Sequence, residues 1–184
     1  MTLSSDDRRV LLDVARRALE ARVERRASPP VERGGALDWE CGAFVTIHCR
    51  GELRGCLGRI DVDAPLAETI AHLAAVVSDS DPRFAPVSAF ELPDIDLEIS
   101  VLTPEREIQS IDEIEVGRHG VVVEQGSRRG LLLPQVASEH GWDRETFLGH
   151  ACLKASLPRD AWRHGAHVFV FEAQVFGDQG TRAI

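Results

Sequence analysis

Residues 41–60 read Cys41-Gly42-Ala43-Phe44-Val45-Thr46-Ile47-His48-Cys49-Arg50-Gly51-Glu52-Leu53-Arg54-Gly55-Cys56-Leu57-Gly58-Arg59-Ile60. Cys41, Ala43, Val45, Ile47 and Cys49 fall at every second position, the period of a strand with one buried face. Arg50-Gly51-Glu52 supplies a turn, and Leu53 to Ile60 follows as a second strand, so the stretch predicts a β-hairpin. Glycine is costly inside a strand, so Gly55 and Gly58 around Cys56 have two readings: bare backbone where a ligand approaches, or room for a bulge or a crossing helix. Putting Leu53 and Leu57 on the face of Val45 and Ile47 places Cys56 across from Thr46 and Arg54 across from His48, all four on the opposite face. On that register the Arg54 guanidinium favours the Cys56 thiolate that a nucleophilic or redox cysteine needs, and His48 is the proton acceptor. The alternative makes Cys56 a small core hydrophobe and His48 a surface residue.

Working outward, Ser4-Ser5-Asp6-Asp7 caps an amphipathic helix with apolar positions from Val10 to Val23, ending before Pro29-Pro30. The run from Ala27 to Gly35 reads as loop. Asp63 and Pro65 open a helix with a stripe at Leu66, Ile70, Leu73 and Val77. In the polar loop that follows, Asp81 and Arg83 either bind a ligand or pair with each other in a turn stiffened by Pro82. Ser88 and Glu91 predict a capped turn, and Ile95, Leu97, Ile99 and Val101 a half-buried strand. Val121–Glu124 and Leu131–Leu133 frame a Gly126-Ser127-Arg128-Arg129-Gly130 turn as a second hairpin. Pro134 starts a short helix closed by Gly141, Asp143 caps another, and His167 to Phe176 is the last strand. Hairpins interleaved with helices predict an α+β fold, mainly antiparallel, as a single domain of two packed subdomains with a cleft between them. The tail 177–184 is expected to fray.

The chain has 184 residues, 43% hydrophobic and 28% charged, the composition of an ordinary globular domain. Thirty acidic against twenty-one basic residues give a net charge of −9, which disfavours nucleic acid as a partner although 20 of the cations are arginine. No apolar run spans a membrane and residues 1–7 do not resemble a secretory signal, so the expected location is cytoplasmic, away from membranes. The four cysteines form no Cys-x-x-Cys pair, and His164 with His167 lacks a carboxylate or cysteine partner at metal-ligand spacing, so neither metal nor cofactor is expected. Phosphate-binding glycine loops, nucleophile elbows and His-Glu-x-x-His are absent.

Leu53-Arg54-Gly55-Cys56-Leu57-Gly58 resembles the signature hexapeptide of the AMMECR-type domain, the family called AmmeMemoRadiSam system protein A. The resemblance extends to Gly42-Ala43-Phe44-Val45-Thr46, Asp81-Pro82-Arg83-Phe84, Gly117-Arg118-His119-Gly120, Leu132-Leu133-Pro134-Gln135-Val136-Ala137 and Cys152-Leu153-Lys154-Ala155. It implies an α+β fold with two subdomains, the hexapeptide near their cleft, and genomic company with a Memo-like protein and a radical SAM protein. It implies no particular reaction. Two functions are therefore carried forward. One is an enzyme, or an enzyme component, acting on a small anionic ligand with Cys56, Arg54 and His48 as catalytic groups and Thr46, Gly55, Gly58, Asp81 and Arg83 as ligand-binding groups. The other is a non-catalytic adaptor that docks a Memo-like or radical SAM partner.

Overall fold

The computed structural model describes residues 1–60 and 63–178. Its contacts group into two compact units: Met1–Leu102 together with residues 174–178, and Thr103–Ala173. Both combine antiparallel strands with helices, so the fold is α+β.

In the first unit the Ser4 hydroxyl accepts from Asp7 N–H while the Asp7 carboxylate accepts from Ser4 N–H, a capping box that starts α1 (Ser5–Val23). The hairpin forms from β1 (Ala43–Cys49) and β2 (Glu52–Arg59). Its turn is two residues, Arg50 and Gly51, both with positive φ (53° and 85°), the backbone that suits the twist of antiparallel strands. Arg50 lacks glycine's freedom there and is held by Asp94, which accepts from its Nε at 2.9 Å and its Nη2 at 2.7 Å. After α2 (Leu66–Val77), β3 (Ile95–Leu102) pairs antiparallel with the other side of β1, leaving β2 at the end of the strand order.

One face of this sheet carries Ala43, Val45, Ile47, Leu97, Ile99 and Val101, all buried. Leu11, Ala15 and Leu19 of α1 and Leu66, Ile70, Leu73 and Val77 of α2 complete that core. Each large aliphatic side chain so buried contributes about 1.5–3 kcal/mol, which explains why strand and helix periodicities agree on one interior. The segment read as loop before β1 is followed by a 3-10 turn, Gly35–Asp38, that buries Ala36 and Leu37.

The second unit orders β4 (Arg106–Glu107), β7 (His167–Gly177), β5 (His119–Gln125) and β6 (Arg128–Leu132) side by side, all antiparallel. Pro134 opens α3 (Pro134–His140), which closes on Gly141 at φ 62°; Asp143 caps α4 (Arg144–Lys154) by accepting from Thr146 N–H. Phe147, Leu148, Ala151 and Cys152 of α4 pack on Val121, Val123, Val168 and Val170. The β5–β6 turn is shorter than its glycine spacing implied: Gln125 pairs with Arg128, so only Gly126 and Ser127 turn and Gly130 lies inside β6. A Cβ at Gly130 would stand 2.4 Å from Ala155 N and 2.5 Å from Ala151 O, so glycine is what admits the end of α4. At the C-terminus Gly177 ends β7, and Asp178 donates its N–H to Leu97 O at 3.0 Å within the first unit; the remainder of the tail read as frayed lies outside the described residues. No helix among the described residues is long and apolar enough to cross a membrane.

Two glycines of one hairpin should respond oppositely to substitution. Gly126, with positive φ and open space around its Cβ direction, should accept Asn with a stability change of a few tenths of a kcal/mol, since Asn tolerates that backbone. Gly130→Ala should cost roughly 1–3 kcal/mol or more, because the atoms it meets are backbone and cannot rotate away. Urea denaturation of the two variants distinguishes them, and equal midpoints would contradict the packing described.

Candidate functional site

The hexapeptide occupies β2. Thr46 pairs with Cys56 as the hydrophobic pattern requires, but the register shifts between Ile47 and His48: Ile47 pairs with Gly55 and His48 with Leu53. Arg54 is the extra residue of a β-bulge, which re-aims its side chain. Two sequence expectations are thereby corrected. Leu53 does not share the core face and is 43% exposed, and Arg54 does not stand across from His48.

The Arg54 side chain is instead committed to the segment after Asp81. Its Nε donates to Glu91 Oε1 at 2.7 Å, its Nη1 to Ala85 O at 2.8 Å, and its Nη2 to Pro86 O at 3.3 Å. Glu91 also accepts from Ser88 N–H at 2.8 Å. The Arg54 guanidinium, aided by that N–H, pulls the Glu91 carboxyl down to about 2. Arg54 thus has its donors committed to a carboxylate and two carbonyls of the chain itself.

Cys56 N–H points away from β1 and donates to Asp81 Oδ2 at 2.9 Å. Cys56 and Thr46 therefore form a non-hydrogen-bonded pair, the kind in which side chains lie closest, and Thr46 Oγ1 donates to Cys56 Sγ at 3.2 Å. Asp81 is buried, and Arg83 grips it through Nε at 2.9 Å and Nη2 at 2.7 Å, with Arg83 N–H adding a third bond at 3.1 Å. Arg83 Nη2 also reaches Cys56 O at 3.5 Å. The Arg83 guanidinium, with the N–H groups of Cys56 and Arg83, holds the Asp81 carboxyl well below the usual carboxylate range despite burial. The cation beside Cys56 is thus Arg83.

His48 lies on the Thr46 face, between Leu53 of β2 and Asp96 of β3. No hydrogen bond joins His48 to Cys56 among the described residues, and the bulge separates the two pairs. The glycines are filled from within the chain. A Cβ at Gly55 would meet Val77 O at 3.1 Å, where α2 ends, and one at Gly58 would stand 2.1 Å from the Phe44 ring. The crossing-helix reading accounts for Gly55, and a cross-strand aromatic accounts for Gly58.

The structure thus brings together Thr46, Cys56, Asp81 and Arg83, sends Arg54 to Glu91, and leaves His48 aside. Glu91 as a partner across the loop, Phe44 over Gly58, and Glu98, which pairs with Thr46 from β3, were missed by sequence reasoning. The Ser88-to-Glu91 capping spacing marked that acid, though not its partner 37 positions back. Among the described residues no group of three or more His, Cys, Asp or Glu is arranged to hold a metal ion.

Acid stability should report these two carboxylates. Asp81 and Glu91 have lowered values in the folded chain, so the unfolded chain binds more protons as pH falls through the ordinary carboxylate range. Their stabilisation is complete above about pH 5 and is lost progressively below about pH 4. Asp81→Asn should lower stability near neutral pH by roughly 1.5–3 kcal/mol, and its decline between about pH 5 and 3 should be shallower than that of the parent. Denaturant midpoints across that range measure both effects; parallel curves would show that Asp81 does not titrate as described.

Comparison with known proteins gives the same outline. The AMMECR1 family model matches residues 12–176. A protein of Thermofilum pendens is 44% identical, covering 95% of this chain and 91% of its own length, and one of Methanothermobacter thermautotrophicus is 42% identical, covering 97% of each. The crystal structure of the uncharacterised protein PH0010 from Pyrococcus horikoshii superposes with a TM-score of 0.79 at 37% identity, covering 95% of this chain and 92% of that one. With the hexapeptide on a bulged edge strand, the segment Asp81-Pro82-Arg83-Phe84 laid against it, and a family model spanning both units, the chain belongs to the AMMECR1 family.

Proposed function

We infer that this chain works as a non-catalytic adaptor, docking a partner protein through the segment that the hexapeptide holds in place. The observation that carries this is Phe90, which is 95% exposed on a mount fixed at both sides. Val87, three residues before it, is buried and donates its N–H to Ser78 O at 2.7 Å. Glu91, one residue after it, is clamped by Arg54 and Ser88. An aromatic ring left in water by a rigid backbone gives nothing to the fold and loses little entropy when a partner covers it, the profile of an interface hot spot. Ala85, Pro86 and Ala89 are exposed around it, and Leu53 of β2 is 43% exposed. The Memo-like and radical SAM proteins implied by the family resemblance are the partners to try.

Titration calorimetry against each purified partner tests the reading. Phe90→Ala should weaken binding at least about tenfold and leave the melting temperature unchanged, because the ring touches solvent rather than core. Cys56→Ser should bind like the parent. Failure of both partners to bind, or full binding by Phe90→Ala, overturns it.

A second reading, Cys56 as a nucleophile or redox group in an enzyme or enzyme component acting on a small anion, is favoured by the Thr46 hydroxyl on Sγ and by Arg83 nearby. Burial pushes the Cys41 thiol up to about 11 and raises that of Cys152. Iodoacetamide should therefore modify Cys56 in the folded protein well before Cys41 and Cys152, and Thr46→Val should change its rate. Labelling of Cys56 only on unfolding removes the second reading.

A further inference from the structure

A separate groove of about 520 Å3 runs along α1 in the first unit, between the helix and the end of β7. It is floored by Leu12 and Phe176 and rimmed by Arg8, Arg9, Arg16 and two aspartates. The charges can be settled pair by pair. Arg9 meets Asp6 at 3.0 Å, Asp13 meets Arg17 at 2.8 Å, and Arg16 meets Asp178 at 2.5 Å while also donating to Ile95 O. Arg8 is the lining cation left over, with no acidic partner among the described residues of a chain whose net charge is −9.

Arg8 is also not a freely solvated arginine. Its guanidinium carbon lies 5.8 Å from the centroid of the Phe176 ring, which is itself buried. Its Nε is shielded from solvent and has no hydrogen-bond acceptor. A shielded N–H without an acceptor costs free energy, and an aromatic face does not supply the missing lone pair. What the position lacks is a counter-charge: an oxygen in the groove cannot reach the sealed Nε, but one negative charge beside the guanidinium would balance it next to apolar surface.

We propose that this groove is a binding site for a small organic carboxylate, a monoanion with an apolar body. The carboxylate meets the terminal nitrogens of the Arg8 guanidinium, since Nε itself is sealed, while the body lies on Leu12 beside Phe176. One unpaired guanidinium matches one negative charge, and the apolar floor matches a carbon skeleton better than a bare oxyanion. The volume lies within the range of small-molecule sites. This site shares no residue with the Cys56 or Phe90 regions, so it stands or falls independently of the adaptor reading.

Benzoate is the probe, with benzyl alcohol and inorganic phosphate as controls, followed by titration calorimetry on the full chain. Benzoate should bind with Kd of about 1 mM or tighter, and benzyl alcohol and phosphate at least about tenfold more weakly. Arg8→Gln should weaken benzoate at least about tenfold, and Arg8→Lys, which keeps the charge without the fork, by a smaller factor. Thermal melts establish that each variant is folded; if Arg8→Gln is not, the loss in Arg8→Lys decides. Absent benzoate binding, benzyl alcohol binding equally well, phosphate competing equally well, or folded Arg8 variants that bind like the parent would each overturn the proposal.

Discussion

The Asp81 carboxylate accepts the outward N–H of Cys56 while Arg83 holds that carboxylate from the other side and reaches the outward carbonyl of Cys56. β2 ends the strand order, so its outward N–H and C=O groups would otherwise stand open. A carboxylate held in its ionised form accepts from such a group more strongly than a neutral oxygen does. From this contact the segment 81–91 runs along β2 in the opposite sense, reaching Arg54 at Ala85, Pro86 and Glu91. Bulge, edge cover and exposed aromatic are thus parts of one arrangement.

That arrangement changes how the hexapeptide is understood. Its arginine, cysteine backbone and two glycines all have structural partners: Glu91, Asp81, the end of α2 and the Phe44 ring. What remains outward-facing is the partly exposed Cys56 side chain under the Thr46 hydroxyl, Leu53, and the ring of Phe90. A motif can be specific in sequence because several of its residues each meet a different neighbour, without any of them performing a reaction.

The second unit follows a similar economy of close approach. Gly130 admits the backbone of α4, and Gly120 lies under the Phe171 ring, where a Cβ would come within 2.2 Å. Beside it, His119 is buried and its Nδ1 accepts from Glu115 N–H at 3.1 Å, which places the proton of the neutral ring on Nε2. That buried polar side chain is held by backbone.

The sequence by itself determined the elements and the inner faces. Alternation in β1 and β3, the stripe of α2, the Ser4 and Asp143 caps and the Thr46–Cys56 pairing were all legible, because periodicity and capping depend on neighbours a few residues apart. The two-residue β4 was too short to leave a pattern. At the site the sequence singled out Cys56, Asp81 and Arg83, which do meet, yet it assigned Arg54 and His48 to the same constellation. Only the tertiary structure decided otherwise, since one bulged residue reverses the side-chain alternation beyond it, and the acid that takes Arg54 lies far along the chain on a loop. The same limit hid the groove beside α1: Arg8 is one arginine among 20 until packing pairs its neighbours and leaves it beside Phe176 with no acidic partner among the described residues.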